Sequence, residues 1–461
     1  MDKGTQQPKP DALDSQAKER AYLVEAQKLP FLKRMRAYLR LSGPGFLQSA
    51  MTLGAGTAGA CLLAGSKYGY QLLWVQPIAM ILGLIMLAAI AKQTVSTGER
   101  PYQVFWKRLH PSLAILWAVS ALLATIIWHI PQYSLGTNAI QDILQAFGTG
   151  KPNPWWIAVP LLILAVYITW NYDKGLRGIR IYELTVKALV WGIVLTFAIV
   201  AFASGIRWGE VLKGFFGFYI PFNDPKGLTI LIGTLGAVVG INMVFLYPYS
   251  LLKRNWGREY EGLAYFDLIL GMAIPFILAT TFVIIGTANT LGRSGIEAKS
   301  IMNITPLLSP ALGLQLSALI LGLGLLAIAF STITTHMLVA GFICCEMLNI
   351  PTQGWRYRLL SLIPAVGIVG AAYPLPFWAA VLASSFAVIL MPVALICFWI
   401  LHNSASYLGE ALPRGCKRWL WNIGLALAIG IITIAGVVKL GSQFKGKQQP
   451  TPAAQEKVLV K

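Results

Sequence analysis

The sequence predicts an all-α protein that crosses a membrane many times. Three observations carry this. Of 461 residues, 56% are hydrophobic and 12% charged, about half the charge that covers a typical soluble domain. Apolar runs near twenty residues recur along the chain, each long enough to cross a hydrocarbon core of about 30 Å as a helix. None of the eighteen acidic residues falls in the middle of such a run, where a carboxylate costs about 3 kcal/mol to insert. The same composition weighs against a soluble enzyme, a disordered chain and a disulfide-stapled secreted domain. Cys61, Cys344, Cys345, Cys397 and Cys416 have no metal-ligand or redox spacing and read as small apolar residues.

Taken in order, residues 1–42 form a charged N-terminal tail without the apolar core of a signal peptide. Eleven spans follow, at about 44–66, 70–91, 112–135, 154–172, 184–205, 228–251, 266–290, 308–345, 358–375, 378–402 and 418–439. The eighth run is long enough to open as a loop with a short helix. Residues 43–206 hold the first five spans, 228–402 the next five, and 403–461 an eleventh span with a polar tail. Loops after even-numbered spans carry sixteen Lys and Arg, those after odd-numbered spans seven, and the N-terminal tail nine. Basic loops stay inside, so the N-terminus is expected in the cytoplasm and the C-terminus outside. This edge charge accounts for the net +19 without any nucleic-acid motif.

Two spans look interrupted. The first contains Thr52-Leu53-Gly54-Ala55-Gly56-Thr57-Ala58-Gly59, and the sixth contains Gly233-Thr234-Leu235-Gly236-Ala237-Val238-Val239-Gly240-Ile241-Asn242. Each Gly costs a helix up to about 1 kcal/mol against Ala. Gly236 and Gly240 also fit small-residue helix packing. The two segments occupy corresponding positions if spans 1–5 and 6–10 are repeats, which is the sequence pointer to an inverted-repeat transporter site. Irregular backbone at that depth survives only where it lines a cavity.

Other polar residues lie at depth. His129 in the third span and His336 in the eighth are candidate titrating or ligating imidazoles, or core histidines with internal partners. Ser331, Thr334 and Thr335 share one helix face. With Thr52 or Thr57 they offer a possible sodium site, unless each hydroxyl bonds back to its own helix.

The opening Gly43-Pro44-Gly45-Phe46-Leu47, the run Gly69-Tyr70-Gln71-Leu72-Leu73-Trp74-Val75, Thr97-Gly98-Glu99, Ser331-Thr332-Ile333-Thr334 and Trp355-Arg356-Tyr357-Arg358 resemble the NRAMP family of divalent metal transporters. The resemblance runs from about residue 40 to 400. It implies the LeuT-type fold, two inverted five-helix repeats plus an eleventh transmembrane helix. The family's metal site departs here. Its first-span Asp-Pro-Gly-Asn matches Gly54, Ala55, Gly56 and Thr57. Its sixth-span Met-Pro-His-Asn matches Gly240, Ile241, Asn242 and Met243. The resemblance keeps Ala237 as a backbone ligand and Arg358, replaces a tenth-span Gln by Ser385, and places Ile130 and Tyr133 where third-span acids linked to proton movement stand.

The function expected is secondary transport of divalent cations by alternating access, with little or no proton coupling. Gly54, Gly56, Thr57, Ala237, Gly240, Asn242 and Ser385 would line the path, and Thr57, Ala237 and Asn242 would touch the metal. Loss of the thioether at Gly240 leans toward magnesium or a hydrated ion, since oxygen donors suit magnesium. The alternatives are a carrier of a small organic solute such as an amino acid, or a transport-inactive receptor. No enzyme motif and no resident cofactor is expected; the metal is cargo and sodium a possible companion ion. The partners expected are the lipid bilayer and a small inorganic cation, with no nucleic acid, for a monomer in a plasma membrane of the bacterial inner-membrane type.

Overall fold

The computed structural model describes residues 10–294, 305–373 and 391–446. Before the first span the tail folds into helices Pro10–Gln27 and Phe31–Leu41. It docks through Glu19, which is 7% exposed. Its carboxylate accepts from Arg180 at 2.5 Å and from Arg254 at 2.9 Å.

Both glycine-rich spans are broken midway. The first is Pro44–Thr52 followed by Ala55–Tyr68, with a 51° bend. Gly54 between them is extended at φ −74°, ψ −179°. The sixth is Pro225–Val238 followed by Ile241–Lys253, with Gly240 extended at φ −104°, ψ 160°. Among the described residues, seven continuous helices are long and apolar enough to cross a membrane: Val75–Thr97, Pro111–Ala146, Trp155–Asp173, Gly175–Ala203, Arg258–Gly292, Leu314–Met347 and Gly415–Ile434. They correspond to the second, third, fourth, fifth, seventh, eighth and eleventh spans. The ninth is the helix Gly354–Ser361 continued by the 3-10 turns Ile363–Ala371. The described part of the tenth is Met391–His402, bent by 72° onto Ala405–Ala411. The eighth opens with a short helix, Thr305–Leu312, and turns at Gly313 with φ +77°.

Helices outrun the apolar runs that announce them, and this moves charges. The fifth span begins at Gly175 and the third runs on to Ala146. Asp142, Glu183 and Asp267 therefore lie inside helices, each within about three turns of an end. Asp267 is fully buried. Its carboxylate accepts from Gly43 N at 3.0 Å and Gly45 N at 2.6 Å, so a seventh-span acid caps the N-terminus of the first span, where the helix dipole favours an anion. Glycine is required here by approach: a Cβ at Gly45 would run into the Asp267 backbone carbonyl.

The third span packs along the eighth and ninth, and the eighth also meets the fourth and fifth. Tyr133, Ala158, Leu161, Ala165, Phe330, Ile333, Met337 and Ala371 form a separate apolar cluster among them. Both halves of the first span pack on the sixth and seventh, and Pro44–Thr52 also meets the fifth and eighth. Ile163, Leu184, Leu195 and Leu427 project outward, forming the apolar outer face that lipid requires.

Candidate functional site

The two breaks face each other against the third and eighth spans, around a cavity of about 30 Å³. Met51, Gly54, Gly56 and Thr57 line it from the first span, and Trp128, Pro131 and Gln132 from the third. Gly240, Asn242 and Met243 line it from the sixth, and Thr332 and His336 from the eighth. A water occupies about 10–15 Å³ on this measure, so the space suits an ion with little of its hydration shell. No acidic or permanently charged side chain is among these lining residues.

Breaking a helix frees carbonyls and amides that must find partners. Side chains supply them. Thr57 Oγ1 donates to Thr52 O. Thr52 Oγ1 donates to Gln48 O at 2.9 Å and lies 3.0 Å from Val238 O, linking the two breaks. Thr332 Oγ1 lies 2.8 Å from Ala50 O and 2.9 Å from Ile328 O of its own helix, bridging the first and eighth spans. Gln132 Oε1 accepts from Ala55 N at 3.1 Å, the amide that opens the second half of the first span. Gly240 N donates to Met243 Sδ at 3.4 Å.

The two glycines at the breaks are held by their neighbours' volume. A Cβ at Gly240 would lie 2.6 Å from the Trp128 ring, so the indole occupies the space a longer side chain would take. A Cβ at Gly54 would lie 3.2 Å from Gln132 Nε2 and 3.3 Å from Thr332 Oγ1. Neutral groups from the third and eighth spans thus converge on the position matched to the family's carboxylate. The thioether absent at Gly240 returns from elsewhere: Met243 and Met51 both reach the cavity.

The structure brings together Gly54, Gly56, Thr57, Gly240, Asn242 and His336. Asn242 is fully buried; its Oδ1 accepts from Met243 N at 2.9 Å and keeps one lone pair, while Nδ2 has no protein partner among the described residues. Ala237 lies in the helix Pro225–Val238, with its surroundings outside the described residues, as is Ser385 altogether. His129 sits behind His336, their Nδ1 atoms 3.4 Å apart. Tyr133 lies edge-on against His129, its ring centroid 5.3 Å away.

The hydroxyls read as a sodium site do not converge. Ser331 donates to Ile328 O at 3.1 Å, Thr334 to Ser331 O at 2.9 Å, and Thr335 to Ser331 O at 2.9 Å. Each bonds back to its own helix, while Thr52 spans the two breaks. Arg358 stands away from the cavity; its Nε donates to Asp173 Oδ2 at 2.9 Å, tying the ninth span to the end of the fourth. Sequence reasoning missed Gln132, Trp128, Thr332, Met51 and Met243. Gln132 carried a usable signal, as an amide one turn after Trp128 in an otherwise apolar run.

Two spans that break face to face around a small polar cavity define the broken-helix class of membrane transport proteins, which are not enzymes. The sequence profile of the Natural resistance-associated macrophage protein-like family matches residues 45–439. The chain belongs to that family. It is 24% identical over 436 residues to a divalent metal cation transporter MntH of Agrobacterium fabrum, covering 90% of each chain. It is also 24% identical to the MntH of Chromohalobacter salexigens, covering 77% of this chain and 82% of that one. The manganese transporter of Eremococcus coleocola, crystallised with an aromatic bis-isothiourea compound, superposes with TM-score 0.71 at 17% identity, over 92% of this chain and 90% of that one. MhsT in complex with L-phenylalanine superposes with TM-score 0.58 at 15% identity, over 85% of this chain and 98% of that one. The fold is the all-helical LeuT type.

Proposed function

We propose that this chain is a secondary transporter of divalent metal cations, working by alternating access around the breaks at Gly54 and Gly240. The observation that carries the reading is the direction of the hydroxyls. Thr57 and Thr332 both line the cavity, and both turn their protons to backbone carbonyls, Thr57 to Thr52 O and Thr332 to Ala50 O or Ile328 O. What they can offer an occupant is lone pairs, which suits a cation. Three of the amides at the breaks are taken: Gly54 N by Met51 O at 3.3 Å, Ala55 N by Gln132 Oε1, and Gly240 N by Met243 Sδ. A cavity of about 30 Å³ is too small for an amino acid.

Thr57 Oγ1, Asn242 Oδ1, Gln132 and the Met243 thioether are the proposed donors, with Ala237 offering its carbonyl. The magnesium-leaning expectation rested on an empty thioether position. With Met243 and His336 at the cavity, softer and borderline divalent ions are favoured over magnesium. Ile130 and Tyr133 in place of third-span acids support transport with little proton coupling. We also propose two five-span halves, 43–206 and 228–402, acting in a monomer of a plasma membrane of the bacterial inner-membrane type, with the N-terminus inside and the C-terminus outside. The test is uptake of manganese, zinc and magnesium into proteoliposomes holding the purified chain. Saturable uptake of a transition metal, unaffected by amino acids and lowered tenfold or more by Thr57→Val, is expected. Uptake of an amino acid with no flux of any divalent ion would overturn the reading.

A further inference from the structure

We propose that His129 and His336 form a two-imidazole metal site on the wall of the cavity, and that it selects a borderline transition-metal ion of the zinc class. The inference rests on the cation reading above and names the chemistry of the ion. The two side chains are 0% and 2% exposed. They come from the third and eighth spans, which pack along each other, so the pair is held by two mutually braced helices rather than by the broken ones.

The Nδ1 atoms stand 3.4 Å apart, with ring centroids 5.5 Å apart and ring planes at 38°. At 3.4 Å the two nitrogens stand at the long end of hydrogen-bond distance. Two nitrogens each bound at about 2.0–2.1 Å to a tetrahedral ion stand about 3.3–3.4 Å apart. The separation matches two ligands on one metal ion. His129 Nε2 has no partner among the described residues, so no hydrogen bond on that nitrogen ties up the ring. The ring is fixed by packing: a Cβ at Gly367 would come within 3.0 Å of His129 Cβ and Cδ2, and Tyr133 closes on it from one side. His336 also lines the cavity that holds Asn242, Met243 and Thr57, which can complete the ion's shell together with water. Imidazole and thioether favour zinc, copper, nickel and cobalt and disfavour magnesium and calcium, whose preferred ligands are oxygens.

The test uses the purified full-length chain with cobalt(II) as probe. Four-coordinate nitrogen-bound cobalt absorbs strongly in the visible, whereas the hydrated ion absorbs weakly. The expected result is a strong visible band that zinc removes and a hundredfold excess of magnesium does not. His129→Gln and His336→Gln should each weaken cobalt binding at least tenfold, while Ser331→Ala leaves it unchanged. Zinc K-edge absorption of the unsubstituted chain should show imidazole scattering, a readout independent of whether the variants fold. Lack of imidazole scattering, or an unaltered cobalt band in the double His variant, overturns the site. Proton movement that vanishes in the His variants, with no imidazole scattering, overturns it in favour of a proton relay. An imidazole-bound ion with no flux of any divalent ion would sink transport and leave this site standing.

Discussion

At Gly240 the missing side chain is a matter of volume before it is one of chemistry. The Trp128 ring fills the space where a Cβ would stand, so Gly240→Met, which restores the residue typical of the family, forces the indole aside. Overpacking of this kind costs about 1–3 kcal/mol. The expected outcome is a lower melting temperature and reduced ion uptake for Gly240→Met alone, with partial recovery in Gly240→Met combined with Trp128→Ala. Strict additivity of the two changes would show that they do not share the space. Gln132 gives a second prediction. Its Oε1 holds Ala55 N, so Gln132→Leu leaves a buried amide unpaired at about 1–3 kcal/mol, whereas Gln132→Glu keeps the acceptor and brings a carboxylate beside Gly54. Gln132→Leu should lose uptake, and Gln132→Glu should keep it with tighter binding of oxygen-preferring ions in the same flux assay. These residues also mark where sequence reading stops. Gly54, Thr57 and Asn242 were legible because they sit in motifs matched to the family. Gln132 reaches the same cavity from a position with no motif, and Thr332 and Met243 from matched stretches that gave them no site role; the packing of the third and eighth spans against the breaks is what brings the three together.

The two breaks were legible as elements, because glycines clustered midway along otherwise helical runs leave the backbone few partners there. Helix ends were not: apolar periodicity stops where lipid stops, while helices such as Gly175–Ala203 continue past it. The cap on the first span depends on such an extension, since Asp267 lies inside the seventh helix and accepts from Gly43 and Gly45. Asp267→Asn removes an anion from a helix N-terminus, worth about 1 kcal/mol or somewhat more where buried, and leaves one of the two amides that the carboxylate caps facing an NH2 donor. Gly45→Ala adds a Cβ against the Asp267 carbonyl. Gly45→Ala should therefore lower the melting temperature more than Asp267→Asn; the reverse order would mean that charge, not approach, dominates the joint. At the other end of the first span, Lys67 Nζ lies 2.5 Å from Asp224, and the Tyr68 hydroxyl donates to the same carboxylate. Lys67 and Tyr68 pull the Asp224 carboxyl from 3.8 down to about 2. A depressed carboxyl contributes stability that is fully present above about pH 4 and lost as pH falls through about 2. This clamp should not respond between pH 7 and pH 5, and Asp224→Asn should cost under about 1 kcal/mol, as befits a part-exposed pair. A melting curve that shifts with pH in that window in the native chain but not in Asp224→Asn would contradict it.

For the whole molecule, the scarcity of charge that reveals a membrane protein also sets its energetics. The lining of the cavity is neutral, and the third-span positions matched to the family's acids are Ile130 and Tyr133. A divalent ion crossing such a path carries its two charges uncompensated. Each charge gains about 2.3 kcal/mol per 100 mV, so two gain about 4.6 kcal/mol, an accumulation of about 2,000-fold at 100 mV inside-negative. A carrier that exchanged or co-transported protons would depart from this slope and would move with a pH gradient at zero potential. His336 is the titratable side chain among the described lining residues, and His129 backs it, so this pair is where a proton dependence at the cavity would act. Proteoliposomes clamped with potassium and valinomycin, and loaded with a pH-sensitive dye, separate the cases. The expected outcome is uptake that follows the imposed potential with a slope of two charges and leaves the dye unchanged. Uptake driven by a pH gradient at zero potential, and abolished in His129→Gln or His336→Gln, would instead make the imidazole pair the coupling site and the cycle proton-driven.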